Sequence, residues 1–259
     1  MKFLALTIGL LSCAVMSLPA ETTPLTEALV EQKEITIACE LTQAPRPFEA
    51  QVLNAGECER TLGTYHYKLW LPPGYLADTK KRWPCLFITS PNGKANMGKF
   101  APWLKANGYI VVMLVESKNG PWEPIIGNFL AAHDDVVRRV RVQEGLKVAT
   151  GFSGGARASS LFVQMRPGFS GLFLQGAGGA SDAKGRYCVN GIGQNPSLYV
   201  AMAVGNLDKN NTEVARMKSI ISPARFLSLS FDGGHAWVKP EVFEQAMQWI
   251  ESRNGKKRY

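Results

Sequence analysis

Apolar and polar positions follow two different rhythms along the chain. In KEITIACEL (33–41) and TYHYKLWLP (64–72) nearly every second residue is apolar, the two-residue period of a half-buried strand. The stretch between them, APRPFEAQVLNAGECER (44–60), carries two prolines and a glycine and reads as another short strand or a loop. From Trp83 the rhythm changes. CLFITS, YIVVMLVES, LKVATGF, GLFLQGA, LYVAMAVG and RFLSLSF are short apolar runs followed by Gly, Pro or Asn, as expected of strands buried on both faces. Between two of these runs, Glu123 to Val142 places Phe129, Leu130, Val136, Val137 and Val140 at helical spacing. Val242, Phe243, Ala246, Met247 and Ile250 repeat that spacing near the end, with Pro240 suited to the first turn of the helix and Asn254-Gly255 to its stop. Strand and helix in alternation predict a mostly parallel central sheet with antiparallel N-terminal strands and helices on both faces.

At 259 residues and 46% hydrophobic composition, one domain over residues 21–259 accounts for this pattern. Residues 1–20 stand apart: Lys2, the apolar run FLALTIGLL, then Ser17, Pro19 and Ala20 form the pattern of a secretory signal peptide, too short to span a bilayer. The expected product is secreted or periplasmic. Leu10-Leu11-Ser12-Cys13 also resembles a lipoprotein processing site, in which case Cys13 would carry the lipid. No later run is apolar for long enough to cross a membrane.

The net charge of +8 is dispersed, its densest runs being Lys80-Lys81-Arg82, Arg138-Arg139 with Arg141, and Lys256-Lys257-Arg258. These read as a solvated turn, a helix face and a terminus, so nucleic acid is not an expected partner. Cys39, Cys58, Cys85 and Cys188 are an even set that an oxidising compartment could pair, with Cys39 and Cys58 suited by spacing. Cys85 lies in an apolar run and also suits a buried thiol. No C-x-x-C or close His/Cys cluster occurs, and no metal or organic cofactor is expected.

The chemistry is carried by Gly151-Phe152-Ser153-Gly154-Gly155, a G-x-S-x-G pattern set directly between the strand run LKVAT and the helical run ARASSLFVQM. Alone the pattern is weak; in that context it resembles the nucleophile turn of the α/β-hydrolases. Such a turn lifts the serine oxygen above the sheet, and the following N–H, that of Gly154, faces a developing oxyanion. A serine alcohol needs a base, and the chain offers His66, His133 and His235. His235 sits in the glycine-rich loop Phe231-Asp232-Gly233-Gly234-His235-Ala236-Trp237, between the last strand and the last helix, and is the expected base. His66 within a strand and His133 on an apolar helix face suit packing or surface roles.

The acid of this fold falls between serine and histidine in chain order. Asp208, in the turn Gly205-Asn206-Leu207-Asp208 after LYVAMAVG, fits, and Asp182 after GLFLQGAGG is the alternative. Asp232 is too near His235 along the chain. A second oxyanion donor is expected from Ser90-Pro91-Asn92-Gly93; Pro91 has no N–H, so Asn92 or Gly93 must supply it, with Asn92 favoured. Trp122 and Trp237 are candidates for the walls of a substrate pocket.

Taken together, KLWLPPGY, WPCLFITSPNG, TGFSGGARASS, GNLDKNN and GGHAW resemble the exported esterases related to polyhydroxybutyrate depolymerases and feruloyl esterases, over about residues 63–252. The resemblance implies a serine carboxylesterase with Ser153, Asp208 and His235 as triad, acting on a small-molecule or polymer-derived ester without a cofactor. Many relatives carry His-Gly in the oxyanion loop, where this chain has Ser90-Pro91. Serine peptidases of the prolyl-oligopeptidase type use the same fold and triad order, and a silent binding protein on this fold is a third reading.

Overall fold

The computed structural model describes residues 29–43, 47–56, 59–182, 184–186, 188 and 190–254. The expected signal peptide, Cys13, Cys58 and the tail from Gly255 lie outside them. In chain order the elements are β1 (Ile35–Leu41), α1 (Pro47–Gly56), β2 (Gly63–Trp70), β3 (Trp83–Thr89), α2 (Ala101–Ala106), β4 (Ile110–Leu114), α3 (Trp122–Arg139), β5 (Val142–Phe152) and α4 (Gly154–Met165). They continue with β6 (Phe169–Gln175), α5 (Asn190–Gln194), β7 (Tyr199–Gly205), α6 (Glu213–Ile220), β8 (Phe226–Phe231) and α7 (Pro240–Arg253).

Among the described residues the strands form one eight-stranded sheet in the order β1-β2-β4-β3-β5-β6-β7-β8. β2 pairs antiparallel with both β1 and β4, and every pairing from β4 to β8 is parallel. The expected antiparallel start and parallel body are both present. The chain moves outward from β3 to β4 and then returns to place β5 on the other side of β3. This reversal creates a switch point, and the crevice for a ligand in such sheets lies beyond the strand ends there.

Alternation along each strand divides the core into two layers. Cys85 and Phe87 of β3, with Val112 and Leu114 of β4, pack toward α3 and α4, joined by Phe129, Leu130 and Phe162 from those helices. Leu86 and Ile88, with Val111 and Met113, face the opposite side, where Phe100, Phe243, Met247 and Ile250 cover them. The ring stack Phe129–Phe162, with centroids 4.0 Å apart, joins α3 to α4, and Phe100–Phe243 at 4.2 Å joins the start of α2 to α7. Residues buried on both faces are why these strands read as continuous apolar runs.

Two expectations are corrected. The segment read as a short strand or loop contains helix α1. Pro47 opens it and Glu49 lies in its first turn. The prolines that suggested a break instead precede or begin the helix, where proline is tolerated because its missing N–H would have no partner. Buried Glu49 binds buried Arg166 at 2.5 Å and so ties α1 to the end of α4. Helix α3 stops at Arg139, leaving Val140 extended and Val137 40% exposed, so the apolar stripe ends at Val136. Among the described residues no helix is long and apolar enough to cross a membrane. Cys39 and Cys85 are buried free thiols, and burial pushes both thiol pKa values up.

Candidate active site

Ser153 lies between β5 and α4 with φ 55° and ψ −118°, a left-handed conformation that costs a non-glycine residue about 1–3 kcal/mol. Its neighbours hold it there. The Ser153 N–H donates to Gln175 O at the end of β6 at 2.9 Å, and its carbonyl accepts from Ala156 N–H at 3.0 Å. Gly151 and Gly155 permit the tight turn because a β-carbon on Gly151 would overlap Thr89 Oγ1 and the Gly155 carbonyl. The buried Thr89 hydroxyl, at the end of β3, fastens the turn to the sheet: it lies 2.7 Å from Gly155 O and 2.9 Å from Ser159 Oγ.

The loop after β8 brings His235 over this turn, with Nε2 2.8 Å from Ser153 Oγ. The other ring nitrogen, Nδ1, is 2.7 Å from Asp208 Oδ2. Asp208 also caps the short 3-10 turn at Lys209–Thr212, its Oδ1 accepting from Asn210 N–H at 3.0 Å. Each carboxylate oxygen therefore has its own partner, one the imidazole and the other the turn. The Asp208 side chain is only 2% exposed against 42% for His235, so the carboxylate is buried beneath an imidazole that faces solvent. An ionised carboxylate only accepts, so a neutral imidazole paired with one carries its proton on Nδ1 and turns the Nε2 lone pair to the serine hydroxyl.

Of the other candidates, Asp182 accepts from Lys184 N–H, Arg186 N–H and Arg186 Nε within its own turn and does not meet His235. His66 Nδ1 pairs with Glu116 at 2.8 Å. His133 is buried between Lys147 Nζ at 3.0 Å and Asp134 at 3.1 Å, and its burial, together with the nearby Lys147 and Arg166 charges, holds its pKa down at about 4. Neither of these histidines approaches Ser153. Asp232 accepts from Asn206 Nδ2 at 3.0 Å.

In the loop after β3, the Gly93 N–H closes a turn onto Ser90 O at 3.2 Å, leaving Asn92 as the donor to consider. Asn92 Oδ1 accepts from Ser90 Oγ at 2.6 Å and from Lys94 N–H at 3.0 Å, bracing the loop from inside. Gly154 is the first residue of α4, and a first-turn N–H has no acceptor within its helix. Trp237 packs against Phe152 at 5.4 Å and Phe100 at 6.0 Å, at the rim of a cavity of about 420 Å³ that also meets Ser90 and Asn92. Trp122 opens α3 and packs, half-buried, against the α3–α4 core layer.

Three supporting residues escaped the sequence reading. Asn206 bridges the loops that carry Asp208 and His235. Gly205 allows those loops to touch, since a β-carbon there would overlap the Gly233 carbonyl. Asn119 places its amide against Gly154, its loop held by an N–H bond to Pro91 O at 2.8 Å. Only the dipeptide Gly205-Asn206 carried a local signal, and that signal was for a turn.

No protein-family model and no curated protein matches the sequence. Solved structures do match. A ferulic acid esterase superposes with TM-score 0.58 at 13% identity, covering 86% of this chain and 99% of that one. S-formylglutathione hydrolase (FrmB) from Staphylococcus aureus gives 0.59 at 10% identity, covering 86% and 99%. A puromycin-hydrolyzing peptidase from Mycobacterium tuberculosis gives 0.55 at 12% identity, covering 74% of this chain and 37% of that one. At these identities the likeness establishes the fold: this is an α/β-hydrolase fold over most of the chain's length.

Proposed function

We propose that the protein is a serine hydrolase that cleaves carboxylic esters through an acyl-enzyme, with Ser153 as nucleophile, His235 as base and Asp208 as orienting acid. The observation that carries this reading is the hydrogen-bonded row Ser153 Oγ–His235–Asp208, at 2.8 and 2.7 Å, built on a strained serine at a switch point of the sheet. A merely structural serine gives no reason to hold that backbone strain beneath an imidazole.

His235 Nε2 takes the hydroxyl proton as Ser153 Oγ attacks the ester carbonyl, and Asp208 stabilises the imidazolium that forms. The carbonyl oxygen becomes an oxyanion, for which the Gly154 and Asn92 N–H groups are the assigned donors. His235 then gives its proton to the departing alkoxide, leaving the acyl group on Ser153. Water repeats the sequence in the second half-reaction, with His235 again as base, and frees the carboxylate product.

The test is hydrolysis of p-nitrophenyl esters by the protein without its leader, beside Ser153→Ala and His235→Ala. Ester turnover that both substitutions abolish supports the reading; turnover within tenfold of the parent in Ser153→Ala overturns the nucleophile. Peptidase chemistry uses the same row and differs in the leaving group, so faster cleavage of a peptidyl p-nitroanilide than of the esters would move the substrate class to peptides.

A further inference from the structure

We propose that the cavity beside Ser153 seats an anionic group of the substrate, such as a carboxylate carried on the ester, held by Lys94 and Lys99. This rests on the ester-hydrolase reading and adds a substrate class to it. The cavity has about 420 Å³, within the range of small-molecule sites. Its walls reach toward the triad from two sides: Asn92, the assigned oxyanion donor, lines one, and Trp237, two residues beyond His235 and packed on Phe152, lines the other.

Its charge is one-sided. Lys94 and Lys99 line the cavity together with Ser90, Asn92 and Asn96, and no carboxylate does. Lys118 stands next to it, its side chain against Gly93 and its backbone bridged to Asn92. Elsewhere the protein pairs many of its cations: Arg157 with Glu213, Arg166 with Asp134, and Arg139 with Asp135. Among the described residues, Lys94, Lys99 and Lys118 form no ion pair with a carboxylate, unlike those arginines. Lys99 is also held in place, its Nζ donating to Trp237 O at 3.1 Å, which leaves two N–H donors for a ligand. The Lys94 backbone is fixed by Asn92 Oδ1. Like charges gathered in a concavity focus their field and favour an oppositely charged ligand.

The experiment compares matched esters after subtraction of spontaneous hydrolysis. On the acyl side the pair is p-nitrophenyl pentanoate and the p-nitrophenyl monoester of glutarate; on the alcohol side it is 4-ethylphenyl acetate and 4-acetoxyphenylacetate. In at least one pair the anionic member is expected to have the higher kcat/KM by about tenfold at low salt, a preference that shrinks toward unity at about 0.5 M NaCl. The double variant Lys94→Gln, Lys99→Gln should lose the preference, and both side chains are exposed, so the fold should survive. Equal or lower kcat/KM for the anionic member in both pairs overturns the inference while leaving the ester reading intact, as does a preference that persists in the double variant. Absence of turnover on all four esters overturns both.

Discussion

Asn206 clasps Asp232 across the two loops that carry Asp208 and His235: its Nδ2 donates to Asp232 Oδ1 at 3.0 Å, while its Oδ1 accepts from Gly233 N–H at 3.1 Å. Neither contact reaches the reacting atoms, yet together they set where His235 hangs over Ser153. A base displaced by about 1 Å loses on the order of a hundredfold in rate. Asn206→Ala should therefore lower kcat tenfold to a hundredfold by that estimate, with KM nearly unchanged. Steady-state kinetics check it; a kcat within twofold of the parent would show that the clasp does not position the base.

Asp208→Asn preserves volume and can keep the bond to Asn210 N–H, but the amide is able to hold the wrong imidazole tautomer. We expect kcat to fall by about 10³–10⁴-fold without loss of folding. Asp182→Asn weakens only the local tie to Arg186 and should leave turnover close to that of the parent. The opposite pattern would relocate the acid.

Thr89→Val keeps the shape of a buried side chain and deletes its hydroxyl. Gly155 O and Ser159 Oγ then lose a partner in a dry environment, at a cost of about 1–3 kcal/mol. The urea midpoint should fall, and ester turnover with it, because the Gly155 peptide forms part of the turn that carries Ser153.

His133 makes stability depend on pH. Its folded pKa of about 4 lies below the 6.5 of an unfolded histidine, so between these values the unfolded chain binds the extra proton. Stability is thus lost as pH falls from about 6.5 toward 4, by as much as roughly 3 kcal/mol from this group. Protonation would set a second cation against Lys147 Nζ, with Arg166 also near and Asp134, among the described residues, the one carboxylate bonded to the ring. Urea midpoints measured across this range should decline in the parent and decline less steeply in His133→Gln. Parallel curves would assign the acid sensitivity to other groups.

Much of the fold was legible because β3, β4, β6 and β7 are buried on both faces and leave uninterrupted apolar runs, while α3 and α7 leave helical spacing; β8, expected to be as deeply buried, is an edge strand only partly covered. Helix α1 was not, since Pro47 at its start and Gly56 at its end are also the marks of a loop, and its burial depends on Glu49 meeting Arg166 far along the chain. At the site, Ser153 announced itself through local context and His235 through its glycine-rich loop. Asp208 was legible only as one of two carboxylates in chain order, because the choice between them rests on which strand end faces the base. Asn119 and Thr89 act through contacts between loops and strand ends distant in sequence, and no local pattern marks them; Asn206 was marked only as part of a turn.

The central claim is that Ser153 is an activated nucleophile, and covalent labelling tests it most directly. The protein is treated with a fluorophosphonate, digested, and its peptides are mapped by mass spectrometry. One adduct is expected on Ser153, absent in Ser153→Ala and formed far more slowly in His235→Ala. An unlabelled Ser153, or labelling at the same rate without His235, would contradict it.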